Sequence, residues 1–190
     1  MTTPAKPLPR FPVPRAAVLG RTWAAALIAQ LPLLGVFLLP WGRSRYEGGG
    51  ETTAAVVWLA LAAALVAAVV YVPEVCARAA PAGPVWLPGR ARQAVARLWH
   101  DDRRAYLRVL GELVVLYAGA QALGGLVTVL HPYVRDAPAS VAGAGGHPWE
   151  FDYAAFAVQA VVLYLGVCGA TAWYACRLRA QVIAARHRVR

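Results

Sequence analysis

The sequence predicts an all-α, polytopic membrane protein with four transmembrane helices and one amphipathic helix at the cytoplasmic interface. Three observations lead there. Hydrophobic letters make up 59% of the 190 residues and charged letters only 15%, against roughly 45–50% and about 25% in ordinary soluble domains. Four apolar runs, at about residues 22–41, 54–76, 109–130 and 154–176, each reach the ~20 residues of helix that cross a bilayer. The basic residues gather at the ends of those runs and not along them.

Residues 1–21 precede the first run. Pro4, Pro7, Pro9, Pro12 and Pro14 favour an extended, solvated tail. The run after Arg21 is too long for a secretion signal, and no small-x-small cleavage site follows Trp41, so it is read as a retained span. Pro32 inside it can kink the helix and free a carbonyl. The second run has no polar side chain from Ala54 to Val70, and Ala60, Ala64 and Ala68 form a small ridge suited to close helix approach.

Between the second and third runs, residues 89–105 follow a helical period. Ala91, Ala94, Val95, Leu98 and Trp99 make an apolar stripe, with Arg90, Arg92, Arg97, Arg103 and Arg104 elsewhere. Such a helix is expected to lie flat among the inner headgroups, attracted by anionic lipid. His100-Asp101-Asp102 is not read as a diphosphate site. The third carboxylate such a site needs one turn on is replaced by Arg104 and Ala105, so the pair reads as a charge-balanced face.

Orientation follows from the cations. Sixteen Lys and Arg lie in the N-terminal tail, the middle loop and the tail 177–190, and only Arg43, Arg45 and Arg135 lie in the other two loops. The expectation is a plasma-membrane protein with both termini cytoplasmic. Only Lys6 is lysine among nineteen basic residues, which, with abundant Ala, Gly, Val and Pro, points to GC-rich coding and a bacterial inner membrane. The net charge of +10 serves as this orientation signal and excludes nucleic acid as the partner.

Within the spans, Glu112 is the ionisable residue singled out, one turn into the third, with Arg108, Arg21 or Arg177 within reach as a counter-ion. Gln30, Gln121 and Gln159 lie deeper. Gln121 shares a face with Gly124, Gly125 and Thr128, and Gln159 with Gly166 and Ala170. These faces are expected to pack, with the two amides hydrogen-bonded to each other. The loop 131–153 offers His131, Asp136, His147, Glu150 and Asp152, a set without fixed ligand spacing. Cys76, Cys168 and Cys176 form no CxxC and read as packing residues.

No nucleotide loop, nucleophile elbow, haem histidine pair or zinc motif is present, and no cofactor is implied. The expectation is a non-catalytic accessory, assembly or scaffold subunit that meets a protein partner or a second copy through Ala/Gly-rich faces. A transport protein with the glutamines along a path, and a sensor or enzyme using the 131–153 loop, are the alternatives.

Overall fold

Backbone N–H and C=O groups find no partner in hydrocarbon, so apolar runs of this length satisfy their hydrogen bonds within helices. The computed structural model describes residues 13–39, 51–136 and 149–188, which are mostly helical. The helices are α1 (Ala16–Ala29), α2 (Leu31–Phe37), α3 (Glu51–Ala79), α4 (Ala91–Asp101), α5 (Arg103–Leu130) and α6 (Tyr153–Arg188). Two three-residue strands, β1 (Val134–Asp136) and β2 (Trp149–Phe151), pair antiparallel, with Arg135 opposite Glu150. Among the described residues α3, α5 and α6 are long and apolar enough to cross a membrane. The bent pair α1–α2 makes up to four, consistent with a multi-pass membrane protein.

Four elements differ from the sequence expectation. The first run is two helices, bent by 61° at Gln30. Pro32 has no N–H for the Ile28 carbonyl, and its ring would collide with that carbonyl in a continuous helix, so the helix restarts at Leu31. The loop helix stops at Asp101, short of residue 105. Asp102 leaves helical geometry (φ −141°, ψ 69°), and its carboxylate accepts the Ala105 N–H at 3.0 Å, capping α5. The last helix runs through Arg188, so most of the expected basic tail is helical. The β1–β2 ladder was not expected at all, because neither strand is long enough to show an alternating pattern.

The chain divides into two compact units, and α3, α5 and α6 each contribute to both. One unit comprises Met1–Ala29, Val66–Val115 and Cys168–Arg190. Its core gathers Val72, Cys76, Trp86, Leu98, Val109, Tyr174 and Leu178. Trp86 is wholly buried, carried inward by the turn after α3 in which the Ala82 N–H bonds the Trp86 carbonyl at 3.0 Å. Gly83 (φ +58°) and Gly89 (φ +81°) supply the left-handed backbone that brings this turn in and out of the core. Arg179 on α6 donates to the Ala80 carbonyl at 3.1 Å, satisfying a group at the end of α3.

The other unit comprises Gln30–Leu65 and Leu116–Val167. Tyr133, Phe151, Tyr153 and Phe156 form an aromatic cluster with ring centroids 5.4–5.9 Å apart across the Tyr133–Phe156, Phe151–Phe156 and Tyr153–Phe156 pairs. Asp152 caps α6 by accepting the Ala155 N–H at 3.0 Å. Here α5 and α6 meet through small residues. A Cβ on Gly166 would lie 2.7 Å from the Ala120 Cβ, and one on Gly124 would lie 2.6 Å from the Leu163 Cγ.

The contact at Gly166 is tight on both sides, so Gly166→Ala is expected to destabilise the detergent-solubilised protein by about 1–3 kcal/mol. Gly125, with nothing within 4 Å of its added Cβ, should instead tolerate Ala or gain up to ~1 kcal/mol from helix propensity. Adding Ala120→Gly to Gly166→Ala should recover most of the loss, read from unfolding midpoints. Equal effects of the two single glycine changes would exclude this packing.

Candidate functional site

Glu112, the carboxylate singled out in the third run, lies on α5 and faces α6. Arg177 holds it with both arms, Nε to Oε2 at 2.7 Å and Nη2 to Oε1 at 2.5 Å. The Trp173 indole N–H adds a third bond to Oε2 at 3.0 Å. Trp173 and Arg177 are one turn apart on α6, so one helical face presents both donors. Only 6% of the Arg177 side chain and 28% of the Glu112 side chain is exposed. Of the three counter-ions reachable from sequence, Arg177 makes the paired contact. A carboxylate with three donors on it ties α5 to α6.

Glu74 is the buried carboxylate that sequence reasoning missed. It lies within the second run, yet only 8% of it is exposed. It accepts the Gly89 N–H at 2.7 Å and the Arg92 N–H at 3.1 Å. Arg90, the residue in the N-cap position of α4, makes no side-chain cap, so Glu74 caps that helix from α3. Arg92 approaches the same carboxylate at 3.9 Å and lies 5.1 Å over the Tyr71 ring. The available signal was an acid near the end of one helix, followed by a Pro/Gly turn and an uncapped helix start.

The arginines in and beside α4 lie on the outside of the fold, and Arg103 among them meets aromatic rings. Arg103 lies 4.7 Å over the Trp99 ring, which meets Tyr106 edge-on at 5.0 Å. Arg97 and Arg104 are exposed, as is Arg90.

The deeper amides do not pair as expected. Gln159, nearly buried, donates to the Gly124 carbonyl at 3.2 Å, three residues along α5 from Gln121, which is half-buried. The glycine lets the helices approach so closely that the amide reaches backbone before it reaches the other side chain. Gln30 is buried at the α1–α2 break.

The outer-loop residues are only partly brought together. Asp152 caps α6 and pairs with Arg135 at 3.4 Å, while His131, Asp136 and Glu150 are exposed. His147 lies outside the described residues. Among the described residues no group of three His, Cys, Asp or Glu is placed to hold a metal ion.

The cysteines are buried, free thiols. Two of them share a hydroxyl. Thr22 on α1 donates to the Cys76 sulfur at 3.6 Å and accepts from the Cys176 thiol at 3.4 Å, joining α1, α3 and α6. Trp86 Nε1, wholly buried, finds no hydrogen-bond partner among the described residues.

Comparison with protein-family models, with curated proteins and with solved structures finds no match to this chain.

Removing one side of the Glu112–Arg177 clamp leaves a largely buried charge behind. Glu112→Ala is expected to cost roughly 2 kcal/mol or more, and Glu112→Leu with Arg177→Met less than either single change, measured by denaturant titration in micelles. A double change costing the sum of the singles would show that the two groups do not interact. Glu74→Ala should speed amide hydrogen exchange across residues 89–101 while leaving that of α5 beyond Leu113 unchanged, because it removes the cap of α4 alone. Unaltered exchange in 89–101 would refute that role.

Proposed function

We propose that the chain is a small multi-pass protein of the plasma membrane that serves as a non-catalytic accessory, assembly or scaffold subunit of a larger membrane complex. In this reading α1–α2, α3, α5 and α6 are four spans, and both termini are cytoplasmic, as the sixteen-to-three distribution of cations favours. The helix α4 lies at the cytoplasmic headgroup layer. It buries Ala91 and Leu98, half-buries Ala94, Val95 and Trp99, and exposes Arg92 and Arg97.

One observation carries the choice of class. Glu112 and Gln159 are engaged in holding α5 to α6, while many of the large apolar side chains of α5 face outward. Glu112 is clamped by Arg177 and Trp173, and Gln159 by the Gly124 carbonyl. A conducting path needs such groups available to a moving ion or solute. On α5, by contrast, Val114, Val115, Leu123, Leu126 and Val129 are all more than half exposed. Only 17% of its span is buried, against 50% for α6. A helix so apolar and so little covered is suited to lipid or to the helix of a neighbour, and Gly119 and Gly125 on it leave room for close approach.

The deciding measurement is the mass and composition of the particle extracted from its native membrane in mild detergent. A stoichiometric foreign subunit is expected. A homogeneous homo-oligomer would overturn the accessory role in favour of transport, and a monomer would overturn both.

A further inference from the structure

A cavity of about 780 Å³ opens between α4 and the last turns of α6. Val85, Ala94, Leu98 and Val182 give it an apolar wall, and Arg90, Arg97 and Arg186 place three guanidinium groups on its lining. All three arginines are exposed. None of their side chains takes part in an ion pair or hydrogen bond among the described residues, in contrast to Arg92, Arg103, Arg135, Arg177 and Arg179, whose side chains all have internal partners.

Two acids share the lining, Asp101 and Asp102. Both stand at the C-terminal end of α4, and Asp102 directs one oxygen to the Ala105 N–H. Arg90 stands at the opposite end, beside the helix start that Glu74 caps. Arg90 and Arg97 are seven residues apart, so they share one face of α4 at a spacing of about 10 Å.

An apolar wall edged with unpaired guanidinium groups suits one kind of molecule. A phosphodiester accepts paired hydrogen bonds from guanidinium, and acyl chains fill a wall of Val, Ala and Leu. A sugar phosphate would satisfy the arginines and leave the wall wet, whereas a neutral lipid would do the reverse. We infer that this cavity binds one anionic phospholipid, its phosphate on Arg90, Arg97 and Arg186 and the start of its chains against Val85, Leu98 and Val182. The inference rests on the placement of α4 at the headgroup layer proposed above. It goes further by replacing diffuse attraction to a charged surface with one stoichiometric site.

The test uses the full chain in phosphatidylcholine nanodiscs titrated with phosphatidylglycerol, with bound lipid counted by native mass spectrometry after release. One retained phosphatidylglycerol per chain is expected. The combined Arg90→Gln, Arg97→Gln, Arg186→Gln variant should weaken that binding about tenfold or more. A control of equal charge loss away from the cavity, Arg15→Gln, Arg78→Gln, Arg104→Gln, should leave it within about twofold. Gln93→Trp, which fills the cavity and keeps every arginine, should weaken it as well. Equal losses in the two arginine variants, or no saturable binding, would overturn the site. Displacement of the lipid by glycerol phosphate at comparable concentration would overturn the lipid as its occupant. A nitroxide on an Ala96→Cys variant separates the two readings. A label fully exposed to an aqueous relaxation agent overturns the headgroup placement of α4, while a shielded label with unselective lipid binding overturns the cavity alone.

Discussion

Hydrocarbon neither donates nor accepts hydrogen bonds, and most of what is distinctive in this molecule follows from that constraint. A carboxylate on a span has to bring its partners with it. Glu112 does so through Arg177 and Trp173, which lie one turn apart on the same helix, so a single face of α6 answers a single residue of α5. The amide of Gln159 meets the same demand differently. With Gly124 opposite, α5 presents bare backbone, and the side chain bonds a carbonyl that is already part of a helix. Charge and amide alike thereby fix the register of α5 against α6.

The corners of the fold rest on acids. Asp102 ends α4 and starts α5, Asp152 ends the β-ladder and starts α6, and Glu74 reaches from α3 to the start of α4. Each compensates N–H groups that a helix start leaves without partners. Each is also a residue whose charge is suggestive on paper. A run such as His100-Asp101-Asp102 invites a catalytic reading, yet Asp102 is occupied by backbone.

The sequence was legible where a signal repeats. Three of the four apolar runs recur as long helices because each stretches over many turns, and the fourth contains the proline that breaks it. The need of Glu112 for a cation was legible from its depth, while the choice of Arg177 over Arg108 or Arg21 was not, because it depends on how α6 faces α5. Contacts between residues distant in sequence were not. Glu74 caps a helix start fifteen to eighteen residues on through a turn set by two glycines, and no local pattern encodes that. The Gln121–Gln159 bond was a reasonable expectation from helical faces. It failed because faces give direction, while the close approach at Gly124 decides distance. The thiols of Cys76 and Cys176 read as packing, and packed they are, but the shared hydroxyl of Thr22 depends on a third helix whose position the sequence does not state.

The length of α6 has a consequence of its own. Thirty-six residues at about 1.5 Å each make roughly 54 Å of helix, whereas a bilayer with its headgroups is about 40–45 Å thick. Such a helix is longer than a bilayer is thick even when moderately tilted. Hydrophobic mismatch depends only on its apolar stretch, about residues 154–176. At ~1.5 Å per residue that stretch is roughly 35 Å and fits a hydrocarbon core of about 30 Å with a modest tilt. The turns from Arg177 to Arg188 extend past that stretch as a rigid post, and Arg179 and Val182 are points along it where the end of α3 and the core around α4 find something solid to dock against.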